Sequence, residues 1–372
     1  MRVENPATPA QLADLLRHCQ NNRQHIEISG ARTKVRMGGP VVDADIRIET
    51  KALNRVLAYN PRDLTISVEA GIRYADLTAA LAEHRQFLPI EPPFSGEATI
   101  GGVLATHSSG YRRRLFGTVR DLVIGMQFAT LEGKIVQSGG MVVKNVAGLD
   151  FAKLLTGSFG TLACITVVNF KLMPHPAGAR TFLYQNVSAR EVFSRRDALL
   201  KSVLQPSGLD ILNPAAAQRI GLEAQWSLLV EALGSDTVLA RYQKELPEYS
   251  VIGNEIWLRV RDFTPAWLAD YQEAHVVRLC CQLMEMESRM CALPSDSAAI
   301  GRGGNGIVYA HSPGTADLPA GAKGLIDFSP AARPVKERLW PSPGNDFFLM
   351  EKIKQHFDPQ ALLNPGRLYG RI

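Results

Sequence analysis

The chain has 372 residues, enough for two cores, and its 46% hydrophobic and 21% charged residues are the balance of a soluble globular enzyme. A formal charge of +5 favours anionic ligands, but the densest basic run, Arg112-Arg113-Arg114, is too short and lacks the interleaved aromatics of a nucleic-acid surface. The 31 glycines and 22 prolines are spread without period, which excludes a collagen-like chain and points to many tight turns.

In chain order, the first predicted element is a helix after residue 8. Thr8 can cap it, Pro9 suits its first turn, and Leu12, Leu15, Leu16 and Cys19 share one face. Residues 25–29 alternate as a strand and run into Gly30-Ala31-Arg32-Thr33-Lys34. Strands follow over 45–49 and 65–70, with residues 59–63 as the turn before the second and a helix over 74–84. A loop through Pro89, Pro92 and Pro93 leads to a glycine-rich stretch at 96–110. Residues 122–140 read as a hairpin turning at Glu132-Gly133, then come a short helix over 150–156 and an apolar strand over 161–172.

After Pro174-His175-Pro176 the texture changes to alternating strands and helices over 180–330. Ser188 and Glu191 have capping-box spacing, and residues 226–233 and 276–283 read as central strands. A last helix near 347–357 precedes Asp358-Pro359 and Asn364-Pro365-Gly366. These textures divide the chain into 1–175, 176–335 and a terminal segment, 336–372, returning to the first part.

Cys19, Cys164, Cys280, Cys281 and Cys291 form no C-x-x-C spacing, so neither zinc nor iron–sulfur ligation is expected in this chain, and no metal site is predicted. Free thiols and a start without an apolar leader lead to an expectation of a cytoplasmic protein. No apolar stretch is long enough to predict a transmembrane segment.

Main-chain N–H groups converge on a phosphate only where side chains do not block the approach. Three segments of small residues, 29–34, 99–110 and 157–161, lie in order in the first half and together point to a bound dinucleotide. Gly301-Arg302-Gly303-Gly304-Asn305-Gly306 fits G-x-G-x-x-G, but Ile307-Val308-Tyr309-Ala310 after it reads as a strand and a Ser/Asp/Pro loop as its approach. A Rossmann turn needs a strand before and a helix after, so that reading is rejected. There is no Walker A motif either.

Thr99-Ile100-Gly101-Gly102-Val103-Leu104-Ala105-Thr106 with Ser108-Ser109-Gly110 resembles the T-[IV]-G-G-x-x-A-[ST]-x-x-x-G segment of the FAD-linked oxidase family, of the vanillyl-alcohol-oxidase (PCMH) type. Residues 112–121 resemble the segment that follows in that family. Lys144-Asn145-Val146-Ala147-Gly148-Leu149-Asp150, Gly157-Ser158-Phe159-Gly160-Thr161-Leu162 and the tail 357–367 are similar to the small FAD-binding, E-type subunits of bacterial glycolate oxidases. The resemblance covers about 1–175 and the tail, and 180–330 only in texture. It implies an α+β fold: a two-part FAD-binding domain plus a smaller α+β cap with an antiparallel sheet.

Carried over by position, the resemblance places the pyrophosphate against Ser29, Gly30, Ala31, Arg32, Thr33 and Lys34, although Ala31-Arg32 departs from a glycine-richer pattern. It places the ribityl chain and isoalloxazine along Ile100, Gly101, Gly102, Thr106, Ser109 and Gly110, and the adenosine half against Gly160, Thr161 and Ile165. Asn364 would return to the flavin site, although Asn-Pro-Gly is also a turn signal. The first loop has neither His nor Cys, and His107 is not at an attachment position, so noncovalent FAD is implied.

Oxidation of a 2-hydroxy acid by flavin needs a hydride path from Cα, a proton acceptor and a cation for the carboxylate. Arg112, Arg113, Arg114 and Arg120 are candidate carboxylate clamps, against a plainer reading of solvated or partner-facing arginines. His107 and His311 are candidate proton acceptors, against plainer readings as turn or core residues. Lys144 and Asn145 are equally well a cofactor contact or an ordinary turn. Competent relatives carry H-x-G-D-G-N-x-H in the second domain; residues 301–308 lack both histidines and the aspartate.

The expectation is therefore an FAD-binding subunit of a glycolate (2-hydroxy acid) oxidase complex. Its partners would be a catalytic FAD subunit and an iron–sulfur subunit, with peripheral membrane association through them as an alternative to a freely cytoplasmic assembly. A self-sufficient FAD-dependent dehydrogenase of another 2-hydroxy acid, and a flavin-free scaffold, remain open beside it.

Overall fold

The computed structural model describes residues 1–142, 148–314, 323–330 and 339–372. The chain divides into two compact units: Met1–Ser109 with Thr118–His175 and Pro334–Ile372, and Gly110–Gly117 with Pro176–Arg333. The expected Lys144 and Asn145 lie outside the described residues.

The first unit begins with β1 (Arg2–Glu4), α1 (Pro9–Asn21), β2 (Ile26–Ser29) and β3 (Ile46–Glu49). The Thr8 hydroxyl accepts from Gln11 N at 3.2 Å, as its position before Pro9 predicts, and α1 buries Leu12, Ala13, Leu16 and Cys19. The three strands form a parallel sheet in the order β1-β3-β2, in register Ile26↔Ile46 and Ile28↔Ile48. Alternation puts Ile26, Ile46 and Ile48 in one core with the buried face of α1.

A second, antiparallel sheet contains β4 (Val56–Asn60), β5 (Thr65–Glu69), β6 (Val123–Ala129), β7 (Ile135–Gly139) and β8 (Cys164–Lys171). Its order is β4-β5-β8-β6-β7. β8 is central and buried along both faces, which is why it reads as a continuous apolar run and not as an alternating one. Gly133 takes φ +77° at the hairpin between β6 and β7, where its sequence had placed a turn. α2 (Tyr74–Ala82) and α3 (Ile100–Ala105) close this core with Leu77, Leu81, Ile100, Val103 and Leu104. α3 was not foreseen as a helix. Thr99 caps it, its hydroxyl accepting from Gly102 N.

The second unit is built on an eight-stranded antiparallel sheet with helices, the α+β arrangement expected. Its elements are β9 (Gly178–Asn186), α4 (Ala189–Lys201), β10 (Gly208–Leu212), β11 (Trp226–Gly234), α5 (Asp236–Glu245), β12 (Ser250–Ile252), β13 (His275–Cys280), β14 (Ala298–Arg302), β15 (Ile307–Ser312) and β16 (Lys323–Phe328). The order is β12-β9-β11-β10-β14-β15-β13-β16. The capping box expected at Ser188 does not form. Ser188 N instead donates to Asn186 Oδ1 at 2.9 Å, so the chain enters α4 through an Asx turn.

Candidate cofactor site

In the first unit β2 ends at Ser29, and its continuation forms one wall of a cleft of about 540 Å³ lined by Ser29, Gly30, Ala31, Arg32, Thr33 and Lys34. Gly102, Thr106, Phe159, Asn364 and Arg367 form the facing parts. An adjoining cleft of about 410 Å³ adds Gly101, Gly160 and Ile165. Ile28, Ser29, Gly30, Gly102, Ala105, Phe159 and Asn364 line both, so the two are one continuous trough. All three small-residue segments of the sequence meet here.

The glycines follow from close approach. A Cβ on Gly30 would fall inside the Thr99 hydroxyl, the same group that caps α3, so only glycine lets the first loop lie against the second segment. Gly160 has φ +71°, and a Cβ there would lie 2.6 Å from Asn364 Nδ2. Arg32, Phe159 and Asn364 are non-glycine residues with positive φ (59°, 54° and 42°), so left-handed backbone gathers along this trough. Ala31-Arg32 replaces an expected glycine, yet Arg32 still adopts the left-handed turn, its guanidinium held by Glu27.

Electrostatically the trough is uncompensated. Its charged lining residues are Glu27, Arg32, Lys34 and Arg367, three cations against one carboxylate. Glu27 is already shared by Arg32 and by Arg47, whose Nε lies 2.9 Å away. Lys34 is 7% exposed and its Nζ has no hydrogen-bond partner; burial alone pulls its pKa down to about 8. Arg367 Nε is enclosed without a partner, and burial pulls that group down to about 10, with Glu27 opposing. Ser29 Oγ is a third enclosed, unpartnered polar atom. Buried cations are normally paired, so this lining fits an anionic group such as a diphosphate, to which Ser29, Lys34 and Arg367 would donate.

The C-terminal segment completes the trough. Asn364 Oδ1 accepts from Ile28 N at 2.7 Å, and its Nδ2 donates to Phe159 O at 2.7 Å. Leu363 bridges to Ile26 in parallel, continuing the small sheet past β2. The helix Phe347–Phe357 supplies the buried Lys354, whose Nζ donates to Asp358 Oδ2 (2.6 Å), Thr161 O (2.8 Å) and Leu363 O (3.0 Å). Asp358 in turn accepts from Leu362 N and Leu363 N. Asn364 therefore lines the trough, but its amide is occupied in holding the walls together.

Four of the expected cofactor residues do not line the trough. Ile100 is in the core. Ser109 Oγ accepts from Val119 N at 3.1 Å, and the Thr161 hydroxyl closes a turn onto Ser158 O at 2.8 Å. Gly110, at φ +79°, opens the segment that belongs to the second unit. Thr99, Phe159 and Arg367 line the trough without having been singled out. Phe159 and Arg367 carry no local signal, since they arrive by long-range packing, the Arg367 guanidinium lying 5.6 Å from the Phe159 ring centroid.

The other candidates have defined environments. His107, at φ 53°, sits half-buried on the turn after α3. Arg120 Nε donates to Lys153 O at 3.2 Å. In the second unit Arg112 forms a bidentate pair with the buried Glu231 (2.9 and 2.7 Å), which also accepts from Ser207 Oγ. Arg114 reaches Pro206 O and Gln205 Oε1 at 3.4 Å each. His311 is 1% exposed, packs on Phe263, accepts from or donates to Thr264 Oγ1 at 2.8 Å, and faces Ala298 O at 3.2 Å. Burial drives its pKa down to about 3, so the ring is neutral and both nitrogens are engaged.

Gly301 and Arg302 end β14 and residues 303–306 form the turn into β15; the approach is thus a strand and not the expected loop. No helix follows, and the glycines answer to packing. A Cβ on Gly303 would lie 3.1 Å from Leu209 O, one on Gly304 would overlap Arg114 Cδ, and Gly306 takes φ +67°. Among the described residues no group of three His, Cys, Asp or Glu side chains is placed to hold a metal. No helix among them is long and apolar enough to cross a membrane.

Residues 2–139 match the family of FAD binding domains. The chain is 28% identical over 359 residues to the glycolate oxidase subunit GlcE of Escherichia coli (strain K12), covering 95% of each. It is 31% identical over 186 residues to the glycolate oxidase subunit GlcD of Bacillus subtilis (strain 168), where the match spans 50% of this chain and 40% of that one. A solved alkyldihydroxyacetonephosphate synthase superposes over 98% of this chain and 75% of its own with a TM-score of 0.72 at 16% identity, which speaks to fold alone. The small-residue loop 29–34 with Lys34 and the facing Thr99, Gly102 and Thr106 lie inside the matched region, so residues 2–139 are similar to an FAD binding domain, and the likeness to a glycolate oxidase subunit runs the length of the chain.

Proposed function

We propose that the chain is the FAD-binding subunit of a glycolate (2-hydroxy acid) oxidase or dehydrogenase complex, supporting oxidation of glycolate to glyoxylate and electron transfer to a partner. The observation that carries this is the trough itself: small-residue loops converge on three enclosed donor atoms, Ser29 Oγ, Lys34 Nζ and Arg367 Nε, that have no hydrogen-bond partner. Bound flavin supplies a two-electron acceptor. The residues of this chain bind it and fix its diphosphate end.

The reading as one subunit among several rests on two supports. Likeness to GlcE covers 95% of each chain. Among the described residues of the second unit, the expected proton acceptor His311 is neutral and internally bonded, and the expected clamp Arg112 is committed to Glu231. A catalytic FAD subunit and an iron–sulfur subunit would then complete the path from hydroxy acid to acceptor, with any membrane association made through them. The trough wall formed by residues 29–34 contains no His or Cys, which supports noncovalent binding.

The test is direct. The purified full chain is expected to bind FAD, to release it intact on acid precipitation, and to leave the flavin oxidised when glycolate is added anaerobically without partners. Rapid bleaching by glycolate in the isolated chain would replace this reading with a self-sufficient dehydrogenase. A chain that stays colourless with excess FAD would replace it with a scaffold.

A further inference from the structure

The matched FAD binding domain ends at residue 139, yet the trough is incomplete without a cation carried more than two hundred residues later. We propose that Arg367, on the C-terminal segment, acts with Lys34 as the charge clamp for the diphosphate of the cofactor, so that the anion site is assembled from both ends of the chain. This rests on the reading of the trough as an FAD site and names the residues that select its charged centre.

Three features carry it. Arg367 lines the same cleft as residues 29–34, and its Nη2 donates to Lys34 O at 3.4 Å, which ties the two cationic residues together. Lys34 Nζ and Arg367 Nε are both enclosed and unpartnered, whereas the third cation of the lining, Arg32, is neutralised by Glu27. The lining thus carries two excess positive charges, and a diphosphate diester carries two negative ones. Arg367 is also held in place from behind: it stacks on Phe159, and Asn364 anchors its segment to β2 and to Phe159 O. An arginine so fixed is suited to a planar fork of phosphate oxygens, and a lysine beside it to a point charge.

The experiment uses the full chain freed of flavin and titrates FAD, ADP, adenosine and riboflavin by calorimetry and flavin fluorescence. In Arg367→Met, FAD and ADP affinities are expected to fall at least tenfold, with adenosine and riboflavin unchanged. Arg367→Lys is expected to recover part of the loss. In the unmodified chain, ADP affinity is expected to fall as pH rises past about 8, where Lys34 discharges, while adenosine affinity stays level. ADP binding by Arg367→Met equal to that of the unmodified chain overturns the clamp, as does an equal loss for riboflavin and adenosine. Should Arg367→Met fail to fold, a flat pH response of ADP binding in the unmodified chain overturns it alone. Failure of the unmodified chain to bind FAD at all would instead refute the cofactor reading beneath it.

Discussion

Replacing Lys34 by methionine is expected to stabilise the flavin-free protein while weakening its hold on FAD. The ammonium is buried with no partner, and desolvation is the only cause that moves its pKa from 10.5 to about 8. A displacement of that size corresponds to roughly 3 kcal/mol of penalty for keeping the charge in the folded chain. Between pH 8 and 10.5 the unfolded chain holds a proton that the folded one has released, so stability rises with pH across that window and the penalty is full below it. Methionine fills the same stem volume without the charge. Urea denaturation of flavin-free protein at pH 7 should therefore show Lys34→Met more stable by up to about 3 kcal/mol, the difference shrinking towards pH 10. Because tyrosines and cysteines titrate in the same range, the difference between the two proteins is the quantity to follow. A variant that is less stable at pH 7, or a difference that does not change with pH, would refute the claim that this lysine waits unpaired for an anion.

Other perturbations have equally definite outcomes. Gly30→Ala drives a Cβ into the Thr99 hydroxyl and should cost about 1–3 kcal/mol with loss of FAD affinity; adding Thr99→Ala should recover part of both, read by thermal melts and fluorescence titration. Asn364→Ala strands Ile28 N and Phe159 O and forces alanine into φ 42°, so chemical denaturation should register about 2–4 kcal/mol, whereas Asn364→Gly, relieved of the backbone strain, should lose less. Lys354→Met leaves the buried Asp358 without its cation, and should destabilise by about 3–5 kcal/mol in the same assay. His311 has its folded pKa lowered from 6.5 to about 3, so its contribution is present above pH 6.5 and is lost as pH falls towards 3. His311→Gln should flatten the fall of stability with acid by close to one proton in that range; an unchanged slope would show that the ring is not buried neutral.

The sequence discloses local chemistry better than distant meetings. Thr8 before Pro9, the Gly133 hairpin and the apolar run of β8 were legible because cap, turn and burial are each written within a few residues. The three small-residue segments were also legible, since absence of side chains is itself the signal. What they were small for was not: Gly30 answers to Thr99, and Gly160 to Asn364. Ser188 shows the converse failure, in which correct spacing is overruled by Asn186 two residues away. Glycines 301–306 look like a phosphate loop and are explained by a hairpin crowded by Leu209 and Arg114. The order of the eight-stranded sheet was beyond reach, because β10 pairs with β14 through Asp210 and Arg302, residues whose likeness to partners is visible only once folded.

The bond between Asn364 and Ile28 joins positions 336 apart in the chain. Strand β2 emerges early in synthesis, and its outer edge stays open to other strands until residues 362–364 are made. A nascent or clipped chain lacking them presents a bare parallel edge and a trough without the Asn364 tie between its walls.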